Sequence, residues 1–251
     1  MADGEVMARR ERPVLSVEEA QAHILSTVNV LEPEKVQLLE AAERVLAQEV
    51  AADRDIPPVT NAAMDGFALR GADVAAGRRE FQVVGQVAAG HQTNVRVGPG
   101  EAVRIMTGAP VPAGADTVVR FEQTQLSDGR VTLLRLPSPG ANVRQAGEDI
   151  RRGQSVLKPG KLLRPQEIGM LAALGQLEVS VIRRPRVAIF GTGDEVVPPD
   201  HTPGPSQIRD ANSHTVAAQV QRYGAVPLML GVAHDEEELV RQGMLTAVER
   251  G

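Results

Sequence analysis

The spacing of apolar residues predicts helices in the first part of the chain. Ser16, followed by Glu19, forms a capping box at the start of an apolar pattern with helical spacing. The apolar positions of this pattern are Val17, Ala20, Ile24 and Val28. A second helix is predicted over about residues 41–50, ending ahead of Pro57 and Pro58, which enforce an extended or turning path.

Between about residues 66 and 143 the pattern changes to short runs of β-branched residues. The runs cover residues 81–87, 102–106, 117–121 and 131–136. Gly-Pro, Pro-Ala-Gly and Asp-Gly sequences separate them, and such sequences favour turns. This alternation predicts a small all-β barrel or sandwich.

The last third of the chain alternates between helix and strand patterns. A helix is expected to begin after Pro165 and to end at Gly175. There follow a buried-type strand over residues 186–190, a glycine-rich loop, a helix over 213–223, a strand over 226–230, and a helix beginning in the acidic stretch 235–238. Strands that alternate with helices predict a parallel α/β unit with a right-handed crossover. The whole chain is therefore expected to be a multidomain protein of the α/β plus β class.

Composition narrows the classes of function. With 251 residues, 42% of them hydrophobic, the chain is long enough for one large domain or two to three small ones. It has no cysteine, which excludes disulfides and thiolate metal sites. An aromatic content of 2% and a net charge of −5 argue against a nucleic-acid surface. No apolar run has the length of a signal-peptide core or a membrane span, so we expect a soluble cytoplasmic protein that does not bind membranes.

Two of four candidate chemical motifs lie in the β-rich part. In NAAMDGFALR, residues 61–70, prolines before Asp65 and a glycine after it predict a carboxylate displayed on a stiff turn. The alternative is an Asx residue that caps its own turn. In RIMTGAPVPAGADTVVRFE, residues 104–122, Thr107 and free N–H groups after a strand would hold an oxyanion as a small nest, or form a ligand-free turn.

The other two motifs combine acids with an arginine or glycines. NVRQAGEDI, residues 142–150, places Arg144 five residues before Asp149, which indicates an oxyanion or Mg²⁺ site or a local ion pair. GTGDEVV, residues 191–197, follows a strand but lacks the third glycine of a dinucleotide-binding fingerprint. Its acids, with Asp235 after the next strand, favour Mg²⁺ bridged to a substrate phosphate, although Asp235 is also placed to cap a helix.

In this order the four motifs resemble molybdopterin molybdenumtransferase, the enzyme family that inserts molybdenum in the last step of molybdenum cofactor synthesis, and the similar E domain of gephyrin. The resemblance implies a helical linking domain, an inserted β-rich domain, a pterin-binding α/β domain and a C-terminal β domain. Here residues 16–53 and 146–179 would form the linking domain and residues 54–145 the inserted one. Residues 180–251 would form an incomplete three-layer α/β domain, with the first helix packing on it.

The resemblance also implies a reaction and its residues. The family takes molybdate and adenylated molybdopterin as substrates and releases AMP, using Mg²⁺. The implied catalytic acids are Asp65, Asp149, Glu195 and Asp235, of which the last three are candidate Mg²⁺ ligands. The implied substrate-binding residues are Thr107, Arg144, Gly191, Thr192, Gly193, Asp194 and Ser213. The family's homodimer shares its active site between subunits, and other cofactor-synthesis proteins are possible partners.

This family continues past the last helix into a loop rich in Gly-Gly and Ser and then into the C-terminal β domain. None of these features occurs in the 251 residues, so we expect the natural chain to be longer and this stretch alone to be incomplete as an enzyme. Two other classes stay open. One is a gephyrin-like scaffold without turnover, and the other is a nucleotide-processing protein that shares only the α/β module.

Overall fold

The computed structural model describes residues 14–91 and 94–250, and the chain divides into two units. The β-rich unit comprises residues 48–161 and 166–177. The α/β unit comprises the described residues up to 47, residues 162–165 and the described residues from 178 onward. No helix in these described ranges is long and apolar enough to span a membrane.

Strands outnumber helices among the described residues. The strands are β1 (Pro33–Gln37), β2 (Val50–Ala51), β3 (Asn61–Ala62), β4 (Gly66–Leu69), β5 (Glu80–Val87), β6 (Glu101–Ile105), β7 (Thr117–Arg120), β8 (Thr124–Ser127), β9 (Arg130–Leu133), β10 (Val143–Arg144), β11 (Ser155–Leu157), β12 (Glu178–Ile182), β13 (Arg186–Thr192), β14 (Val196–Val197), β15 (Ile208–Arg209) and β16 (Val226–Ala233). The helices are α1 (Val17–Thr27), α2 (Gly71–Ala75), α3 (Pro165–Ala173), α4 (Asn212–Arg222) and α5 (Glu237–Arg250), with short 3-10 helices at Leu38–Ala41 and Phe121–Gln123.

A six-stranded sheet in the order β7-β4-β6-β5-β9-β8 forms the centre of the β-rich unit. Its pairs are antiparallel except β5 with β6. Alternate residues of β4 pack into two different hydrophobic cores. Phe67 and Leu69 belong to one core, and Ala68 belongs to the other. The prediction of four β runs in this region is confirmed, since β5, β6, β7 and β9 overlap them, although β9 ends at Leu133, three residues before the predicted end.

Gly66, the first residue of β4, is needed for a reason that the sequence did not reveal. Its backbone φ is not among the positive values in the chain. Instead, a Cβ at this position would lie 1.8 Å from the carbonyl oxygen of Val119 on β7. The glycine that was expected to help form the turn after Asp65 therefore lies in a strand, where it permits close packing of β4 on β7.

The predicted helix over residues 41–50 is also wrong. This segment begins at the end of a 3-10 helix, continues as irregular chain that bonds to distant parts of the sequence, and ends at the first residue of β2. The N–H of Glu43 donates to Leu163 O at 2.8 Å, and the N–H of Ala47 donates to Ser180 O at 2.9 Å. Glu43 has a φ of 59°, which a right-handed helix does not allow. Tertiary pairing thus overrides the local helical pattern.

In the α/β unit, β13 and β16 pair in parallel and are joined through α4. The pairing runs from Arg186 beside Val226 to Thr192 beside Ala233, and α5 follows β16. The predicted strand-helix-strand-helix order with parallel strands is therefore confirmed. In the same unit, β1 pairs antiparallel with β12.

The first helix is confirmed together with its capping box at Ser16 and Glu19. None of its residues is buried, and Ile24 is 61% exposed. Its packing on the α/β domain stays a prediction.

Candidate active site

The residues singled out from the sequence lie in two places. Asp65, Thr107, Arg144 and Asp149 lie around strand β3 of the β-rich unit, and we call this place the β3 corner. Residues 191–195 lie at and just beyond the end of β13, and Asp235 lies just beyond the end of β16; we call this part of the α/β unit the strand-end rim.

Strand β3, although only two residues long, brings three of the motifs together. On one side, the N–H of Ala62 donates to Ala109 O at 3.0 Å, and the N–H of Gly108 donates to Ala62 O at 2.8 Å. On the other side β3 pairs antiparallel with β10, which contains Arg144. The Thr107 turn and strand β10, which contains Arg144, are therefore attached to the same short strand, which ends three residues before Asp65.

The Asp65 carboxylate is bonded to Thr107. Its Oδ1 accepts from the Thr107 backbone N–H at 2.6 Å and from the Thr107 hydroxyl at 2.7 Å. These two donors, the backbone N–H first, hold the pKa of the Asp65 carboxyl below its ordinary value. Asp65 is thus an exposed, ionised carboxylate fixed by a residue 42 positions away, and not an Asx cap of its own turn.

The prediction of free N–H groups at the Thr107 turn is wrong. The Thr107 N–H donates to Asp65, the Gly108 N–H to Ala62 O and the Ala109 N–H to Met106 O. Because these donors have partners inside the protein, the turn holds a carboxylate of its own chain and has no open nest. Thr107 stays a candidate substrate-lining residue through its exposed side chain.

Arg144 and Asp149 form an ion pair in the β3 corner. Glu148 joins it, since its Oε1 lies 3.8 Å from the Arg144 Nε. The side chains of Arg144 and Asp149 are 40% and 47% exposed, so solvent screens the pair and a dissolved anion can reach the guanidinium. The ion-pair alternative is therefore present in the structure, and roles of either residue toward a ligand stay predictions.

Sequence reasoning gave no role to Asn61, which is 92% buried at the start of β3. Its Oδ1 is the buried side-chain atom that lacks a hydrogen-bond partner among the described residues. Its backbone pairs with that of Arg144. In the sequence, Asn61 could have been noticed as a polar residue that begins an otherwise apolar stretch before Asp65.

At the strand-end rim, Gly191 and Thr192 are the last residues of β13, so the strand runs two residues further than the predicted end at 190. A Cβ on Gly191 would lie 3.3 Å from Ser213 Oγ and 3.4 Å from Asp210 Oδ2. Ser213 itself is only 4% exposed, which limits its direct contact with a ligand. Gly193 has a φ of 136° and begins the loop.

Asp210 is a second residue that sequence reasoning missed. Its Oδ1 accepts from the Ser213 backbone N–H at 3.0 Å at the start of α4. Burial raises the pKa of the Asp210 carboxyl, but hydrogen bonds from the Ser213 N–H and hydroxyl outweigh it, and the pKa lies below its ordinary value. An Asp just ahead of a predicted helix is a common capping signal, and it would have pointed to this residue.

Asp194 joins the two loops of the strand-end rim. Its Oδ1 accepts from the His234 Nδ1 at 3.1 Å and from the Asp235 backbone N–H at 3.3 Å. The carboxylates of Glu195 and Asp235 are exposed and have no hydrogen bond or ion pair among the described residues. Asp235 therefore does not cap α5 with its side chain, and both carboxylates are available to a ligand.

No group of three or more His, Asp or Glu side chains in the described ranges is arranged to hold a metal ion. Mg²⁺ in nucleotide enzymes is commonly held by one or two carboxylates together with substrate phosphates. Exposed oxygen ligands such as those of Glu195 and Asp235 suit that mode of binding. They do not form a metal centre made by the protein alone.

The chain matches the family model described as "MoeA N-terminal region (domain I and II)" over residues 15–175. It is 38% identical over 244 residues to a molybdopterin molybdenumtransferase from Nostoc, covering 94% of this chain and 56% of that protein. It is 36% identical to the Bacillus subtilis enzyme of the same name, covering 90% of this chain and 54% of that protein.

A solved structure of the Pyrococcus horikoshii OT3 molybdopterin biosynthesis MoeA protein superposes with a TM-score of 0.84 at 33% identity. The match covers 92% of this chain and 63% of that chain. The 251 residues thus span little more than half the length of the bacterial relatives. The family resemblance read from the four motifs is confirmed, and the chain belongs to the MoeA family of molybdopterin molybdenumtransferases.

Proposed function

We propose that this chain is part of a molybdopterin molybdenumtransferase that inserts molybdenum from molybdate into adenylated molybdopterin and releases AMP. The observation that carries the proposal is the β3 corner. Three motifs that are far apart in the sequence meet on one two-residue strand, and they bring an ionised carboxylate, a hydroxyl and a guanidinium into one part of the unit.

The reaction needs charge neutralisation and positioning. Water adds across the bond between AMP and the pterin phosphate, so one proton and one hydroxyl are distributed between two products that both carry phosphate. Mg²⁺, when bound, would neutralise the phosphate oxygens. Glu195, Asp235 and Asp149 would hold that ion together with the substrate, and Arg144 would bind an anionic oxygen.

The remaining candidate residues would line the substrate site. Asp65 would orient a substrate donor or the cation through its Oδ2, because its Oδ1 is held by Thr107. The implied lining residues of the strand-end rim are Gly191, Thr192, Gly193, Asp194 and Ser213. In the family's manner, we propose a cytoplasmic homodimer whose active site is shared between subunits.

The domain division is part of the same proposal. Residues 54–145 would be the inserted domain, residues 16–53 and 146–179 the linking domain, and residues 180–251 part of the pterin-binding domain. The family match over residues 15–175 speaks against a nucleotide-processing protein that shares only the α/β module.

The test measures AMP release from adenylated molybdopterin by the whole protein, with and without molybdate and Mg²⁺. We expect release that requires both, and a loss of about 100-fold in Asp65→Ala. Asp53→Ala is the matched control, because Asp53 is an exposed aspartate of the same unit that pairs with Arg54. Tight binding of the substrate by the wild type without any AMP release would contradict the proposal and support a gephyrin-like binding role.

A further inference from the structure

The two parallel strands of the α/β unit are held together beyond their last backbone bond by one side chain. The N–H of Gly193 donates to Ala233 O at 3.2 Å, where β13 and β16 end. The next residue, Asp194, then accepts from both His234 and Asp235 through its Oδ1. A single carboxylate oxygen thereby replaces the backbone pairing that stops at the ends of the strands.

This arrangement fixes the main chain of Asp235 and leaves its side chain free. The Asp235 carboxylate has no hydrogen-bond partner among the described residues. It lines an open groove of about 490 Å³ at the start of α5, together with Glu236, Glu237, Val240, Arg241 and Met244. An exposed loop residue is otherwise free to reorient, and reorientation of a group that must meet a substrate lowers the rate of reaction.

We propose that Asp194 is a positioning residue, which holds the Asp235 loop in place and makes no contact with the substrate. The inference rests on the proposed function, in which Asp235 acts on the substrate, and it changes the role of Asp194 from substrate lining to support. Asp194 acts here as a hydrogen-bond acceptor, a role that needs an oxygen at Oδ1 and no negative charge.

This distinction makes the conservative variant decisive. Asp194→Asn keeps a carbonyl oxygen that accepts both bonds, whereas Asp194→Ala removes it. We expect kcat to fall about tenfold in Asp194→Ala with KM changed less than about twofold, because loss of orientation affects the reacting complex. Asp194→Asn should restore kcat to within about threefold of wild type. If Asp194→Asn is as slow as Asp194→Ala, the negative charge is what matters and the proposal is overturned.

A second measurement needs no activity. Hydrogen exchange of the Asp235 backbone N–H in this chain should be about two- to tenfold faster in Asp194→Ala and unchanged in Asp194→Asn, since one modest hydrogen bond is lost. Asp200→Ala is the matched control, because Asp200 also bonds a histidine Nδ1, that of His201 at 2.9 Å, but joins no second strand.

The two measurements separate this proposal from the proposed function. If the wild-type whole protein releases no AMP, the proposed function fails, and the exchange of the Asp235 N–H alone decides whether Asp194 holds the loop. Exchange that is equal in wild type and Asp194→Ala overturns the proposal whatever the activity.

Discussion

The β3 corner and the strand-end rim hold their acidic side chains in opposite ways. In the corner, Asp65 is bonded to Thr107, and Asp149 is paired with Arg144. At the rim, Glu195 and Asp235 have free carboxylates on a main chain that is held by other groups. The corner therefore gives these carboxylates hydrogen-bond or ion-pair partners inside the protein, whereas the rim leaves the carboxylates of Glu195 and Asp235 open to solvent or to a bound ligand.

Because of this difference, acidic residues in the two places should contribute differently to stability and to binding. A paired carboxylate has a fixed direction, and its removal disturbs the partner as well. An unpaired, exposed carboxylate adds little to the free energy of unfolding, so its removal affects mainly what it binds. Substitutions of paired carboxylates in the β3 corner should therefore lower both stability and activity, whereas substitutions of unpaired carboxylates at the strand-end rim should lower mainly activity.

The largest effect, a loss of stability, is expected from a substitution in β4, the strand that directly follows Asp65. Gly66→Ala places a methyl group 1.8 Å from the Val119 carbonyl oxygen, which forces β4 away from β7. We expect loss of more than about 4 kcal/mol in the free energy of unfolding, or no folded protein, measured by urea denaturation. Gly85→Ala is the control on β5, where the new Cβ would be 3.5 Å from Val95 and should cost less than about 1 kcal/mol. Equal stability of the two variants would contradict the close approach.

The next effect concerns the free carboxylates of the rim. Asp235→Asn should lower turnover of the whole protein about 100-fold while changing the free energy of unfolding by less than about 0.5 kcal/mol. Glu249→Gln, an exposed acid near the end of α5, controls for loss of negative charge and should leave turnover unchanged. A large loss of stability in Asp235→Asn would show that its carboxylate has a structural partner.

A smaller effect is expected from the hydroxyl that holds Asp65. Thr107→Val removes one of two donors, so the pKa of the Asp65 carboxyl should rise toward its ordinary value of 3.8, as followed by NMR titration. A depressed pKa in the folded state stabilises the protein above the ordinary value, and this stabilisation is lost as the pH falls through the folded-state pKa. The stability advantage of wild type over Thr107→Val should therefore be larger at neutral pH than at a pH low enough to protonate Asp65 in the folded protein. A difference that is independent of pH would mean that the hydroxyl acts through packing alone.

The smallest effect is expected from the ion pair. A double-mutant cycle with Arg144→Gln and Asp149→Asn should give a coupling energy of about 0.2–1 kcal/mol, because both side chains are partly exposed. The coupling should weaken as salt is added, since ions screen exposed charges. A coupling energy of several kcal/mol would mean that the ion pair behaves as a buried network, which would contradict its assignment as a solvent-screened pair.

The sequence pattern predicted the regular elements well where local signals and tertiary structure agree. The runs that became β5, β6, β7 and β9 are bounded by turn residues, and β13 and β16 are continuous apolar runs, as parallel strands usually are. The pattern failed at residues 41–50, where the chain bonds to Leu163 and Ser180. No local signal reports partners more than a hundred residues away.

The sequence predicted which residues belong to the candidate site better than it predicted the hydrogen bonds between them. The motif order pointed to Asp65 and Thr107. Their direct hydrogen bond, and the internal hydrogen bonds that occupy the N–H groups of the Thr107 turn, depend on the register between β4 and β6. Asn61 and Asp210 were missed because their burial is set by packing, which the sequence does not display. The reason for Gly66 was missed likewise, since the Val119 carbonyl comes from another strand.

The attachment of Asp65 also limits how the chain can change its length. The bond from the Gly108 N–H to Ala62 O and the bonds from Thr107 to Asp65 close a small ring, formed by residues 62–65 on one side and 107–108 on the other. Exposed turns ordinarily accept insertions and deletions. A residue added to or removed from either side of this ring would separate the carboxylate from its donors or detach the turn from β3. The number of residues in the ring is thus as much a requirement of the corner as the identity of its acid.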